Sequence, residues 1–137
     1  MSHTLAYGVG SGLDIVNAPI AHAVHVISHF GGIAVSAHPY RWGVGNSLMT
    51  VPNIKIIEGI NGHNSPKENR RAIDLAKMGG YFTIAGSDSH DPDSVGRVYT
   101  EFFDRVTETN LVACIKSGRY RVRVSPEYTK LWEGTDE

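Results

Sequence analysis

The sequence predicts an α/β domain, and three observations predict it. Ile33-Ala34-Val35-Ser36-Ala37 is a nearly continuous apolar run, as expected of a strand buried on both faces of a parallel sheet. Ser65-Pro66-Lys67-Glu68 carries the start signals of a helix: an N-cap serine, proline at the first helical position and a glutamate three residues after the cap. Segments of these two kinds alternate along the chain with short connections, which is the grammar of a mainly parallel sheet covered by helices.

Residues 4–9 read as the first strand, followed by a turn at Gly10-Ser11-Gly12. A helix is expected after Asn17, the N-cap candidate, with Pro19 in its first turn. Ile20, Val24 and Ile27 recur there at near-helical spacing, and Gly31-Gly32 ends the run. The strand at 33–37 follows, then a strand at 54–58. The Ser65 helix runs to about residue 78 and stops at Gly79-Gly80. Strands are expected at 81–87, 98–103 and 120–124, with a short helix at 107–116 closed by Gly118. The chain from Ser125 onward is polar and proline-bearing and receives no element. The expected organisation is one domain over 1–124 and a polar tail over 125–137.

Composition narrows the function. Thirteen basic against fourteen acidic side chains leave a net charge of −1, which argues against a broad nucleic-acid-binding surface but not against a local phosphate pocket. The single cysteine, Cys114, has no internal disulfide partner, and its apolar surroundings predict a buried structural thiol. No apolar run reaches the roughly 18 residues of a membrane span, and the first residues lack the pattern of a signal peptide. A soluble, cytoplasmic domain with no membrane partner is the expectation.

The chemistry concentrates where strands end. Tyr81-Phe82-Thr83-Ile84-Ala85-Gly86-Ser87-Asp88-Ser89-His90 finishes an apolar strand with a carboxylate and an imidazole two residues apart. If the extended chain continues that far, Asp88 and His90 point to the same side. A carboxylate oxygen and a neutral imidazole nitrogen are ligands for Zn²⁺, Mn²⁺ or Fe²⁺. Ile33-Ala34-Val35-Ser36-Ala37-His38-Pro39 repeats the grammar, a strand ending in a histidine. Glu58 also closes a strand, with a supporting role as one reading. In parallel α/β folds functional groups gather at the carboxyl ends of strands. Elsewhere the bland readings prevail: His22, His25 and His29 as a solvated helix face, although His25 and His29 have chelating spacing, and Asn61 and Asn64 as turn formers. His63 is a loop residue near the strand ends, and Trp42 either covers a substrate or packs.

Four motifs in order then resemble the PHP (polymerase and histidinol phosphatase) domain: Ala37-His38-Pro39-Tyr40-Arg41, Glu58-Gly59-Ile60-Asn61-Gly62, Asn69-Arg70-Arg71-Ala72, and Gly86-Ser87-Asp88-Ser89-His90 with Val95-Gly96 behind it. The resemblance covers roughly residues 3–103 and implies a partial (β/α)₇ PHP-type barrel with a mainly parallel sheet. It further implies a phosphoesterase using divalent metal ions (Zn, Mn, Fe or Mg) at the carboxyl end. By the same resemblance His38, Asp88 and His90 are metal ligands at the catalytic centre, and His3 is a further ligand. Arg41 sits where a cation can hold a substrate phosphate. The His-x-His, Asp or His, His and Glu motifs that open PHP domains are absent from this sequence, so it resembles the carboxyl-terminal part of such a domain.

Hydrolysis of a phosphorylated small molecule or nucleotide by metal-activated water is therefore expected, with the site completed by a complementary N-terminal PHP half or by a homo-oligomer. The alternatives are a non-catalytic PHP remnant acting as a weak metal-binding or interaction module, and a related metallohydrolase acting on an amide or ester.

Overall fold

A computed structural model describes residues 3–13, 15, 17–41 and 51–133, with side chains through 129. Trp42, whose role the sequence left open, lies outside the described residues. In chain order the elements are β1 (His3–Tyr7), α1 (Ile20–His29), β2 (Ile33–Ala37), β3 (Ile56–Asn61), α2 (Pro66–Gly79), β4 (Phe82–Gly86), β5 (Val98–Phe102), α3 (Leu111–Ser117), β6 (Tyr120–Val124) and α4 (Pro126–Glu133), with a 3₁₀ turn at Pro92–Ser94 before β5.

The fold is mixed α/β. Strands run β1-β2-β3-β4 in one sheet, in which β2, β3 and β4 are parallel and β1 is antiparallel to β2. The last two strands depart from the expected parallel order. β5 and β6 form a separate antiparallel ribbon, in register Val98 to Val124 through Phe102 to Tyr120. Among the described residues these strands form an open sheet and a ribbon.

β2 is buried at every position, as its apolar run predicts. Its two faces feed two cores. Ala34 and Ile57 pack against Val24 and Ile27 of α1 and Ala76 of α2. Ile33, Val35, Ile56 and Ile84 pack on the other side with Ile115 of α3, partly covered by Leu111, Val112, Phe102 and Tyr120. Burying each such aliphatic side chain contributes about 1.5–3 kcal/mol.

Ser65 caps α2 as expected. Its hydroxyl accepts the Glu68 N–H at 3.3 Å while the Glu68 carboxylate accepts the Ser65 N–H at 2.9 Å, and Gly80 closes the helix in the left-handed region. Other boundaries moved for local reasons. β1 stops at Tyr7 because Gly8 turns the chain at φ 72°. Asn17 does not cap α1: it lies at φ 63°, and Pro19 occupies the cap position. β3 starts at Ile56 rather than at 54. α3 begins only at Leu111, because the residues before it form a turn in which the Asn110 side-chain Oδ1 accepts the Thr107 N–H at 2.7 Å. Within the expected polar tail, α4 starts after Ser125, whose hydroxyl accepts the Tyr128 N–H at 3.2 Å. Cys114 is half-buried rather than buried. No helix among the described residues is long and apolar enough to cross a membrane.

Candidate functional site

The carboxyl ends of β2, β3 and β4 lie side by side, and the polar residues that follow them meet there. His38 comes directly after β2, and His3 opens β1 opposite Ala37. The ring nitrogens His3 Nδ1 and His38 Nε2 are 3.0 Å apart, with the rings edge to face. Two imidazole nitrogens bound to one tetrahedral ion stand about 3.3 Å apart, given metal–nitrogen bonds of about 2.0 Å. The pair therefore fits either one shared hydrogen bond or two positions of one metal.

Glu58 anchors the centre. It is 4% exposed, and its Oε2 accepts the backbone N–H of His38 at 2.8 Å and the Asn61 amide at 2.9 Å. Burial raises its pKa, partly offset by those two donors. Three residues apart on a regular strand, Glu58 and Asn61 would face opposite sides. A register shift between Glu58 and Ile60 brings them together. Gly59 sits in that irregularity, where a Cβ would stand 2.8 Å from the Thr83 side chain. Gly86 serves the same centre, since a Cβ there would lie 2.1 Å from Glu58 Oε1.

Asn61 is the hub that the sequence did not reveal. Its Oδ1 accepts from Arg41 Nη2 at 2.9 Å and from the His63 N–H at 2.9 Å, and its Nδ2 also reaches Asp88 Oδ2 at 3.3 Å. Its own backbone is clamped by buried Asn69, whose Oδ1 accepts the Asn61 N–H at 3.0 Å and whose Nδ2 donates to the Asn61 carbonyl at 3.1 Å. The signal was present as two polar residues inside an otherwise buried strand, Ile56-Ile57-Glu58-Gly59-Ile60-Asn61.

Arg41 bridges the network. It donates to Asn64 Oδ1 at 3.2 Å and forms an ion pair with Asp88. Burial by itself would raise the Asp88 pKa, but the hydrogen bond and charge of Arg41, with Asn61, hold the carboxyl below its usual value. His38 is shifted down, first by burial and then by the positive charge of Arg41, which favours the neutral imidazole a metal requires.

Of the expected ligands, the structure brings His3 and His38 together and places Asp88 with Arg41. His90 goes elsewhere. β4 ends at Gly86 and Asp88 adopts φ 52°, so the alternation that would align Asp88 with His90 is broken. The His90 ring instead lies 2.8 Å from the carbonyl oxygen of Asp88, exposed, with the His63 ring 5.2 Å away. Among the described residues no three His, Cys, Asp or Glu side chains group as the ligands of one ion. His38 and Asp88 are two of the four non-glycine residues at positive φ (29° and 52°) among the described residues. Such backbone persists only where surrounding contacts enforce it, and it clusters at functional sites. Beside the network, a cleft of about 370 Å³ is lined by Tyr7, Gly86, Ser87, Tyr99 and Phe102, among others.

Comparison with known proteins agrees with this picture at the level of fold and region. The chain resembles the crystal structure of PsfC from Pseudomonas syringae PB-5123, with a TM-score of 0.65 and 16% identity over 93% of this chain and 56% of that one. It thus spans little more than half of that protein's length, and the likeness concerns the fold alone. No curated protein matches the sequence. A family described as PHP-associated matches residues 66–120, the stretch that holds Asp88 and His90 but not His3, His38, Arg41 or Glu58. Over residues 66–120, then, this chain carries a carboxyl-terminal PHP-associated region.

Proposed function

We propose that the chain supplies the strand-end half of a metal-dependent phosphoesterase, which hydrolyses a phosphorylated small molecule or nucleotide. The observation that carries this reading is the meeting of two imidazole nitrogens, 3.0 Å apart, at the mouth of a parallel sheet beside an arginine–carboxylate pair. In this reading His3 and His38 offer ring nitrogens and Asp88 an oxygen to divalent ions (Zn, Mn, Fe or Mg). His90 joins them when its ring leaves the Asp88 carbonyl. When bound, such ions would polarise the phosphoryl oxygens and acidify a water molecule. Arg41 neutralises phosphate charge once Asp88 turns its oxygens from the guanidinium to a metal. Glu58 and Asn61 hold His38, Arg41 and Asp88 in place. The four-stranded sheet is read as part of the wall of a (β/α)₇ barrel, completed by a complementary N-terminal half or a second copy.

A second reading has its own observation. Asp88 is already neutralised by Arg41, and His90 is turned onto a backbone carbonyl, as in a non-catalytic PHP remnant whose polar network now serves as a weak metal-binding or interaction module. Hydrolysis of an aryl phosphate with added Mn²⁺ or Zn²⁺ separates the two. The enzyme reading predicts metal-dependent turnover that is abolished by His38→Ala and falls about a hundredfold in Arg41→Ala, the scale for losing one charge-stabilising donor. Turnover indifferent to both changes would favour the remnant, and turnover absent from the native chain would rule out a site completed by a second copy.

A further inference from the structure

We propose that His25 and His29 on α1 form a second transition-metal site, separate from the strand ends and suited to Cu²⁺, Ni²⁺ or Zn²⁺. Residues four apart on a helix are neighbours on its surface, and two histidines at that spacing are a zinc-binding pair. α1 buries Ala23, Val24 and Ile27 against the sheet, which turns His22, His25 and His29 to solvent. The helix sequence, Ile-Ala-His-Ala-Val-His-Val-Ile-Ser-His, contains no Asp, Glu, Lys or Arg. A merely solvated helix face is ordinarily built from those residues; here its only ionisable groups are imidazoles.

The rings of His25 and His29 lie 6.3 Å apart between centroids and within 25° of parallel. Phe30 packs edge to face on His29 at 5.3 Å and so restrains one of the two. Among the described residues neither imidazole has a hydrogen-bond or ion-pair partner, so neither must be displaced to bind an ion. His29 lies in the last turn of α1, where the negative end of the helix dipole favours added positive charge. Imidazole donors select late first-row ions over Mg²⁺ and Ca²⁺, and the general order of affinities places Cu²⁺ above Ni²⁺ and Zn²⁺. Two protein nitrogens leave the remaining positions of the ion to water. His22 is seven residues from His29, about 10.5 Å along the axis, too far to share the same ion with it.

Calorimetric titration of the full chain with NiCl₂ tests this independently of the strand-end reading. The native protein is expected to show a binding event that weakens roughly a hundredfold in His25→Ala, which leaves His22 and His29 too far apart to chelate, and in His29→Ala combined with His22→Ala, which leaves His25 alone. The same event should persist in His22→Ala and in Asp88→Ala, and MgCl₂ should not reproduce it. Far-ultraviolet circular dichroism checks the helix, which alanine favours, and His25→Gln provides a second variant if an alanine variant misfolds. An event unchanged in the His25→Ala/His29→Ala chain would overturn the site. So would the absence of Ni²⁺ binding to the native chain, or loss in Asp88→Ala with the α1 variants unaffected.

Discussion

Glu58 shows how a single buried carboxylate can organise several functional residues. Its oxygen satisfies two buried donors, the His38 backbone N–H and the Asn61 amide. Glu58→Ala is expected to cost about 2–6 kcal/mol, one to three for each of the two orphaned donors, measured by denaturant unfolding. Glu58→Gln retains an oxygen for both donors and is expected to fold nearly as well. The pH dependence separates the two groups. The Glu58 pKa is raised by burial, so the native state binds more protons than the unfolded chain from the ordinary glutamate value upward. Its contribution is fully present below that value and is lost as pH rises through the raised one. Glu58→Gln should therefore remove a decline in stability on the alkaline side of the ordinary glutamate pKa. Asp88, with a depressed pKa, has the opposite sign: its ion pair stabilises above the ordinary aspartate value and is lost as pH falls through the depressed one. Gly86→Ala places a methyl group against Glu58 Oε1. A destabilisation of about 1–3 kcal/mol is expected from this overpacking, read in the same unfolding experiment.

At the scale of elements, what was legible depended on whether the signal was local. The capping box of α2 is a contact between residues three apart, and it stands in the structure as written in the sequence. Ser65→Ala should cost about 1 kcal/mol in a thermal or denaturant melt. The same serine–proline opening at Ser125-Pro126 starts α4, within a segment expected to be a polar tail, and Tyr128, Leu131 and Trp132 recur there at helical spacing over only two turns. Two other departures have non-local causes. The antiparallel β5–β6 ribbon is set by pairing across an intervening helix, and its local trace is the apolar–polar alternation of Tyr120-Arg121-Val122-Arg123-Val124, which differs from the continuous apolar run of β2. The irregularity at Gly59 changes which way Asn61 points, so a residue read as a turn former becomes the hub of the site.

At the scale of the whole molecule, the motifs mark three strand ends, and the fold brings them together. His38, Glu58 and Asp88 converge through a chain of hydrogen bonds from three parallel strands. The sequence could not reveal that Asp88 would engage Arg41, or that a break in extended geometry would send His90 toward His63. β4 is met by Thr100 of β5, which leaves β1 as the sheet's outer strand among the described residues, and Phe30, Phe82 and Phe103 are 63%, 52% and 60% exposed. Sheet edges and exposed apolar side chains are association surfaces. A homodimer or larger assembly is expected by light scattering at micromolar concentration, and a monomer would count against the shared-site reading.

The central claim is that the strand ends hold metal. Elemental analysis of protein purified without added metal or chelator tests it most directly, in a His25→Ala/His29→Ala background that removes the α1 pair. Bound divalent metal is expected, falling to background when His38→Ala or Asp88→Ala is added. A metal-free protein, or metal content indifferent to both changes, would contradict it.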